Sequence, residues 1–169
     1  MSVSLNAAIK LAFTQTNTYK GVTTTSTPTV ATSFQQGTGE AANTQDQLWL
    51  HIGRTLVASA SEELDLAAGL VDGFGTTLTF VKIKGLWIRN TNTAAGDTLA
   101  IGGSAANAFL LFDSATDIYT LGPGGLFLIN EPSLAGKAVT AATGDLLKLT
   151  ETGAANTCTF DVCIWGTSA

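Results

Sequence analysis

The stretch TLTFVKIKGLWIR, from Thr77 to Arg89, decides the fold of this chain. Just before Gly85, Val81 and Ile83 alternate with Lys82 and Lys84, which is the period-two pattern of a half-buried strand. After Gly85 the apolar phase shifts to Leu86 and Ile88. A phase shift at a glycine predicts a β-bulge, which keeps one face of the strand buried. Trp87 and Arg89 are then expected to turn outward or toward a partner.

The rest of the chain contains many short strand candidates separated by Gly, Asn and Asp turns. No segment longer than about ten residues has a convincing helical period. Together these patterns predict an all-β fold, a jelly-roll-like antiparallel sandwich over residues 46–169. The candidates are 48–52, 55–59, 63–67, 77–89, 98–101, 109–112, 118–121, 126–129, 137–140, 145–150 and 157–165.

Residues 1–45 differ in composition from the remainder of the chain. A Thr-rich run, 22–32, is compatible with a disordered low-complexity segment. However, apolar residues alternate strictly with other residues near the start, which predicts a strand. We therefore predict an extended N-terminal β-arm that docks on its own domain or on a neighbouring subunit. Its candidate interface residues are Val3, Leu5, Ile9, Leu11 and Phe13.

The chain is acidic and poor in charge. Its formal net charge is −5 and charged residues make up 12% of it, which argues against nucleic acid as a partner. The closest bases are Lys82, Lys84 and Arg89, and on a strand they predict an exposed edge or face. No apolar run reaches about 18 residues, so a membrane span is not expected. The start lacks a signal-peptide pattern, and we expect synthesis in a cytoplasm.

Cys158 and Cys163 are five residues apart on a predicted strand. Successive residues of a strand point to opposite faces, so an odd spacing places the two thiols on opposite sides. They are therefore predicted not to pair with each other. Two free thiols fit a protein that is made in a reducing compartment.

Residue types that carry catalysis are scarce, and we expect neither an enzyme nor a cofactor or metal site. The one histidine, His51, shares the outward phase expected for Trp49 and lacks a second histidine for a zinc site. Glu62, Glu63 and Asp65 do not match a calcium loop and predict a solvated strand face. Two further acids flank a short loop and predict turn roles; they are Asp113 and Asp117. No GxSxG or phosphate-loop spacing occurs.

The chain resembles a group of small structural proteins of tailed phages and prophages. The resemblance lies in RTLVASASEELDLAAGLVDGFGTTLTFVKIKGLWIRN (54–90), GDTLAIGGSAANAF (96–109), GPGG (122–125), AVTAATGDLLKLT (138–150) and FDVCIWG (160–166). It covers about three-quarters of the chain. It implies a virion component without catalytic or cofactor residues, and both a head and a tail position are compatible with it.

The leading hypothesis is a capsid decoration or cement protein that self-associates, with a trimer favoured, and binds the major capsid protein of the head. Trp87 and Arg89 join the arm residues as interface candidates, because aromatic and Arg side chains anchor many interfaces. The alternative is a tail or fibre component that binds a host glycan through Trp87 or Tyr119. The sequence leaves open the oligomer number and the partner of the arm.

Overall fold

The computed structural model describes residues 5–12, 14–27, 29–133, 135–153 and 156–169, and within them it contains strands and no helix. The all-β prediction is confirmed, while the jelly-roll topology stays a prediction. The strands are β1 (Leu5–Ala12), β2 (Gln15–Tyr19), β3 (Val22–Ser26), β4 (Thr29–Thr38), β5 (Thr44–Gln45), β6 (Gln47–Leu56), β7 (Ser61–Asp65), β8 (Leu70–Val71), β9 (Thr77–Leu78), β10 (Lys82–Asn90), β11 (Leu99–Gly102), β12 (Ile118–Leu121), β13 (Leu126–Asn130), β14 (Lys137–Ala138), β15 (Leu146–Glu151) and β16 (Cys158–Thr167).

Two antiparallel sheets enclose one core. The first has the order β13-β10-β16-β6, with β14 also paired to β10, and the second has the order β12-β11-β15-β7. Their inner faces supply most of the buried apolar cluster, and the short β8–β9 pair and the connecting segments around Phe80 and Phe109 supply the rest. The core includes Trp49, Leu56, Leu64, Leu66, Leu70, Leu78, Phe80, Ile83, Leu86, Ile88, Leu99, Ile101, Phe109, Leu111, Leu121, Leu147, Leu149, Cys158, Phe160, Val162 and Ile164.

The bulge predicted at Gly85 is confirmed. The register between β10 and β16 shifts between Ile83 and Gly85. As a result Ile83, Leu86 and Ile88 all reach the core despite their change of phase. The prediction that Lys84 lies on an exposed edge or face is wrong, because this residue is 0% exposed. Lys84 is the residue inserted at the bulge, and the chain that precedes β6 covers it.

The N-terminal segment forms one hairpin. Strand β1 pairs with β4 from Leu5 opposite Gln36 to Ala12 opposite Thr29, and β2 pairs with β3 from Gln15 opposite Ser26 to Tyr19 opposite Val22, with the same offset in both ladders. The turn consists of Lys20 and Gly21, both with positive φ (48° and 79°). Such a two-residue turn matches the twist of antiparallel strands. The predicted β-arm is thus a two-stranded ribbon, of which Val3 and Phe13 lie outside the described residues.

Several predicted strands differ from those observed. The candidate 48–52 and residues 55 and 56 of the candidate 55–59 belong to one strand, β6, that passes through a bulge at Gly53 (φ 71°), whereas residues 57–59 lie beyond its end. At this bulge the Oδ1 atom of Asp161 accepts a hydrogen bond from Gly53 N at 2.9 Å. The candidate 77–89 is divided between β9 and β10, because residues 79–81 belong to neither strand. The candidate 109–112 is no strand, since only an isolated bridge at Ala108 joins this region to Leu146. Its alternating burial comes from irregular chain folded against the core.

Candidate interaction surface

The outer face of the first sheet, turned away from the core, has Trp87 in its middle row. Trp87 on β10 lies opposite Leu128 of β13 on one side and opposite Cys163 of β16 on the other. Cys163 is in turn opposite Leu50 of β6. Directly paired residues of neighbouring strands lie on the same face of a sheet. These four side chains therefore form an apolar row across the whole sheet.

The next row begins with Leu126 of β13, which is paired with Arg89 of β10. We define the Trp87 face as the exposed and half-buried residues of these two rows. Its members are Leu50, Trp87, Arg89, Leu126, Leu128 and Cys163.

The Trp87 face contains side chains that the described part of the chain leaves accessible. Leu50 is 54% and Leu126 is 52% exposed, whereas Trp87 is half-buried and Arg89 is exposed. The expectation that Trp87 and Arg89 turn outward is confirmed. Large apolar side chains grouped on one exposed face are typical of an interaction site. The sequence did not single out the leucines or Cys163 for this face, because only strand register brings them beside Trp87.

The third row of the same outer face is closed. It consists of Asn130, Gly85, Trp165 and Leu48, in that order across the sheet. Trp165 is only 2% exposed, and its indole occupies the space beside Gly85. This row marks the boundary at which the Trp87 face ends and the base of the arm begins.

The base of the arm, from Gln36 to Asp46, is held on its own sandwich. Gln36 Nε2 donates to Asn130 Oδ1 at 3.0 Å. The main-chain N–H of Asn43 donates to Pro132 O at 2.7 Å, and that of Asp46 donates to Gly166 O at 3.1 Å. The alternative of docking on its own domain therefore holds for the base of the arm.

Lys84 also binds the base of the arm. Its Nζ donates to the main-chain oxygen of Ala41 at 2.5 Å. Burial lowers the pKa of Lys84, and the charge of Lys82 lowers it further, while Asp46 opposes this shift. An ammonium held out of water needs such a partner, because an unpaired buried charge is strongly unfavourable.

The arm residues predicted for an interface are partly described. Leu5, Ile9 and Leu11 lie in β1, and the register pairs them with Gln36, Thr32 and Val30 of β4. Farther out, Thr16, Thr18, Thr23 and Thr25 are exposed, and Thr18 Oγ1 is hydrogen-bonded to Thr23 Oγ1 at 2.9 Å. The arm thus presents a row of hydroxyls on one side.

An aromatic edge adjoins the Trp87 face where the two sheets meet at β12 and β13. The ring of Tyr119 lies 5.2 Å from that of Phe127, and Phe112 meets the same ring at 6.0 Å in an edge arrangement. Tyr119 is 45% and the neighbouring Ile118 is 57% exposed. Phe127 is next to Leu126, so the apolar surface continues around this edge.

His51 lies in a cleft of about 340 Å³ between the edges of β6 and β7. Its outward position is confirmed, but the outward position of Trp49 is wrong, since Trp49 is 4% exposed. The Arg54 guanidinium lies 5.4 Å from the Trp49 ring. Glu62 accepts from Arg54 Nε at 3.0 Å and from Nη2 at 2.5 Å. The Arg54 charge is thus paired with Glu62 within the protein.

The remaining acidic candidates serve local structure. Glu63 alternates with buried Leu64, as predicted, and its Oε1 accepts from Ser104 Oγ at 2.7 Å. Asp65 Oδ1 accepts from the N–H groups of Ala67 and Ala68 at 2.9 and 3.1 Å. The turn role of Asp117 is confirmed, because it accepts from Ser114 N. Asp113 is exposed in the same loop.

Both cysteines are free and lie on opposite faces, as predicted. Cys158 belongs to the core, whereas Cys163 is half-buried on the Trp87 face. Burial raises the pKa of Cys158 to about 12, with further contributions from Glu151 and Asp97. Burial alone raises the pKa of Cys163 to about 11. Neither thiol has the lowered pKa of a reactive cysteine.

A second cleft, of about 500 Å³, lies between the loops around Asn107 and Thr143, and small side chains and Lys137 line it. Within the described part of the chain no three His, Cys, Asp or Glu side chains group as a metal would require. The described residues also contain no helix long and apolar enough to cross a membrane.

Comparison with known proteins adds no family. No protein-family model matches the chain, and no curated protein matches it. The resemblance to tailed-phage structural proteins therefore stays a prediction, and function has to be argued from the Trp87 face and the arm.

Proposed function

We propose that this protein is a structural component of a tailed-phage virion, a decoration or cement protein that self-associates and binds the head shell. The observation that carries the proposal is the Trp87 face, an apolar surface on which Leu50 and Leu126 are about half exposed. Aromatic, aliphatic and Arg side chains together have the composition of an interface centre. The partners proposed are further copies of this chain, with a trimer favoured, and the major capsid protein.

The mechanism would be mechanical. A two-sheet sandwich with a continuous core gives a rigid body, and the bulge at Gly85 fixes Trp87 and Arg89 on its outer face. Burying the apolar rows against a neighbour removes them from water, which stabilises the assembly. Arg89 supplies a planar donor that can bind a carboxylate of the partner. Closed symmetry would multiply each weak contact over the particle.

The second candidate is a tail or fibre component that binds a glycan. Its support is Tyr119, which is 45% exposed and lies beside Phe127 at the aromatic edge. An exposed aromatic ring offers a flat apolar surface with a polar hydroxyl at its tip. Trp87, the other residue predicted for this role, is half-buried within an apolar row, a setting that favours a protein partner.

Copy number in purified particles separates the two candidates. A shell of identical subunits presents its sites by symmetry, so a head protein should be present in on the order of hundreds of copies. A tail component should be present in a few to some tens. Quantitative mass spectrometry of particles against the known copy number of the shell protein gives this ratio. Absence from particles would overturn both candidates.

The role of the Trp87 face is tested by adding purified protein to particles that lack it. Trp87→Ala combined with Arg89→Glu should weaken particle binding at least tenfold. The matched control is Phe74→Ala, which removes an 83% exposed ring away from this face. Equal binding by both variants and the wild type would remove the Trp87 face from particle binding.

A further inference from the structure

We infer that the Trp87 face is the seat of the N-terminal hairpin of a second copy of this chain. The inference rests on the self-association part of the proposed function and names its occupant. It requires no particle, so it can be tested on the purified protein alone.

The described part of the chain leaves Leu50 and Leu126, at the two sides of this face, open to solvent. Each keeps about half of its surface exposed. The base of the arm is fixed beside the face, through Gln36 on Asn130 and Ala41 on Lys84. The hairpin therefore starts at the boundary of the Trp87 face, while the face itself stays open to another molecule.

The hairpin is long enough to reach a neighbour. Its two ladders cover Leu5–Ala12 and Gln15–Tyr19 with one common offset, and at about 3.4 Å per residue an extended leg over this span would measure about 48 Å. The strands of the outer face have nine or ten residues, or about 30 Å. A ribbon longer than the sheet it starts from suits exchange between subunits better than a contact within one subunit.

Charge favours an arm over a second sandwich as the occupant. Residues 1–39 contain two lysines, Lys10 and Lys20, and no acid. Residues 40–169 contain all 13 acids and the other six Lys and Arg residues, a net charge of −7. Two sandwiches repel each other at long range, whereas the arm, with a net charge of +2, is attracted to a sandwich of net charge −7 as a whole. Arg89, the charged member of the Trp87 face, is itself a cation and takes no part in this attraction. In the sequence, the apolar positions of β1 also give the ribbon a pattern that calls for an apolar cover.

Cysteine crosslinking between two full-length variants tests the inference. The arm variant carries Thr18→Cys or Ser26→Cys, and the face variant carries Leu126→Cys or Leu50→Cys, each with Cys163→Ser. All four positions are exposed, and Cys158 is buried in the core. A short bismaleimide joins the two cysteines when they lie close together. A small mass tag on the face variant distinguishes the product that joins an arm variant to a face variant from the products of two identical chains. The control face variant is Ser61→Cys on β7, an exposed position of the other sheet.

The expected result is a mixed product at least tenfold more abundant for the face variants than for Ser61→Cys. A yield equal to the control for both arm positions would overturn the inference. So would crosslinking only within one chain when an arm cysteine and Leu126→Cys are placed in the same molecule.

Self-association gives a second measurement, by light scattering over a concentration series. Leu50→Lys with Leu126→Lys should weaken self-association at least tenfold, because lysines in an apolar contact are unfavourable. The control, Val57→Lys with Phe74→Lys, changes exposed apolar residues elsewhere and should leave it unchanged. A monomeric wild type overturns the inference, while particle binding is judged separately. Loss of association without arm crosslinking indicates direct packing of two faces and also overturns it.

Discussion

The indole of Trp165 occupies the space that a side chain at position 85 would fill. Gly85 and Trp165 are directly paired on β10 and β16, and a Cβ built on Gly85 would overlap Cζ2 and Cε2 of the ring. The bulge at this point and the absence of a side chain act together. They let Trp165 lie against the sheet, where it covers the third row of the outer face beside the base of the arm.

Gly85→Ala should therefore lower the free energy of unfolding by about 1–3 kcal/mol, the usual cost of overpacking a tight site. Trp165 is 2% exposed, so the ring cannot move aside without losing its own packing. Urea unfolding followed by Trp fluorescence measures the change. Gly73→Ala is the matched control, because a Cβ there meets nothing within 4 Å. Equal stability of the two variants would contradict the packing of Trp165 on Gly85.

Lys84 should make stability depend on alkaline pH. Its folded-state pKa is lowered, chiefly by burial, so between that pKa and the unfolded value near 10.5 the unfolded chain binds more protons. The free energy of unfolding then rises with pH across this window and levels off above it. In Lys84→Met this contribution is absent. We expect the stability of the wild type relative to Lys84→Met to increase from neutral pH toward pH 10.

Denaturant unfolding of both proteins at a series of pH values gives this difference. Lys148→Met, on β15, removes one positive charge elsewhere and corrects for the change in net charge. Parallel pH profiles for the wild type and Lys84→Met would show that burial does not disfavour the charged form of Lys84.

Local alternation was enough to predict part of the site. The phase shift at Gly85 predicted the bulge, the buried face and the outward positions of Trp87 and Arg89, because strand periodicity depends only on neighbouring residues. It could not predict that Lys84 is covered. Ala41, which covers it, is 43 residues away in the sequence, and no local pattern contains such a contact.

Register explains the other differences. The leucines of the Trp87 face belong to β6 and β13, which never pair with each other but share β10 and β16 between them. Their assembly into rows follows from hydrogen-bonded ladders that a single sequence does not encode locally. In the arm, alternation predicted strands, whereas the return through Lys20 and Gly21 required reading a two-residue turn inside a Thr-rich run.

The two cysteines should react at different rates in the folded protein. The pKa of Cys163 is about 11 instead of 9.0, so at pH 8 its thiolate fraction falls about a hundredfold. Cys158 is 0% exposed and should react only after unfolding. In denaturant without reductant, both thiols should react with a chromogenic disulfide. Cys163→Ser should abolish the slow native phase, and recovery of a 158–163 disulfide would contradict their opposite faces.

Asp161 and Gly53 should be energetically coupled, because together they form the bulge of β6 that lies next to Leu50. Asp161 is 8% exposed and accepts the Gly53 N–H, so Asp161→Ala leaves a donor unpaired and should cost about 1–3 kcal/mol. Gly53→Ala places a side chain at φ 71° and should cost about 1–2 kcal/mol, the cost of the left-handed conformation for a residue with a Cβ.

A double-mutant cycle measures the coupling by urea unfolding. If each change lets the bulge relax, the second change has less structure left to disturb. The double variant should then lose less free energy of unfolding than the sum of the two single losses. The difference should be at least about 0.5 kcal/mol, the lower bound for contacting residues. Gly75→Ala serves as the control partner, since Gly75 also has positive φ (85°) and equally open surroundings but lies in the β8–β9 turn, away from Asp161. The loss of stability from Gly75→Ala should simply add to the loss from Asp161→Ala. Additivity in both cycles would show that Asp161 does not hold the bulge.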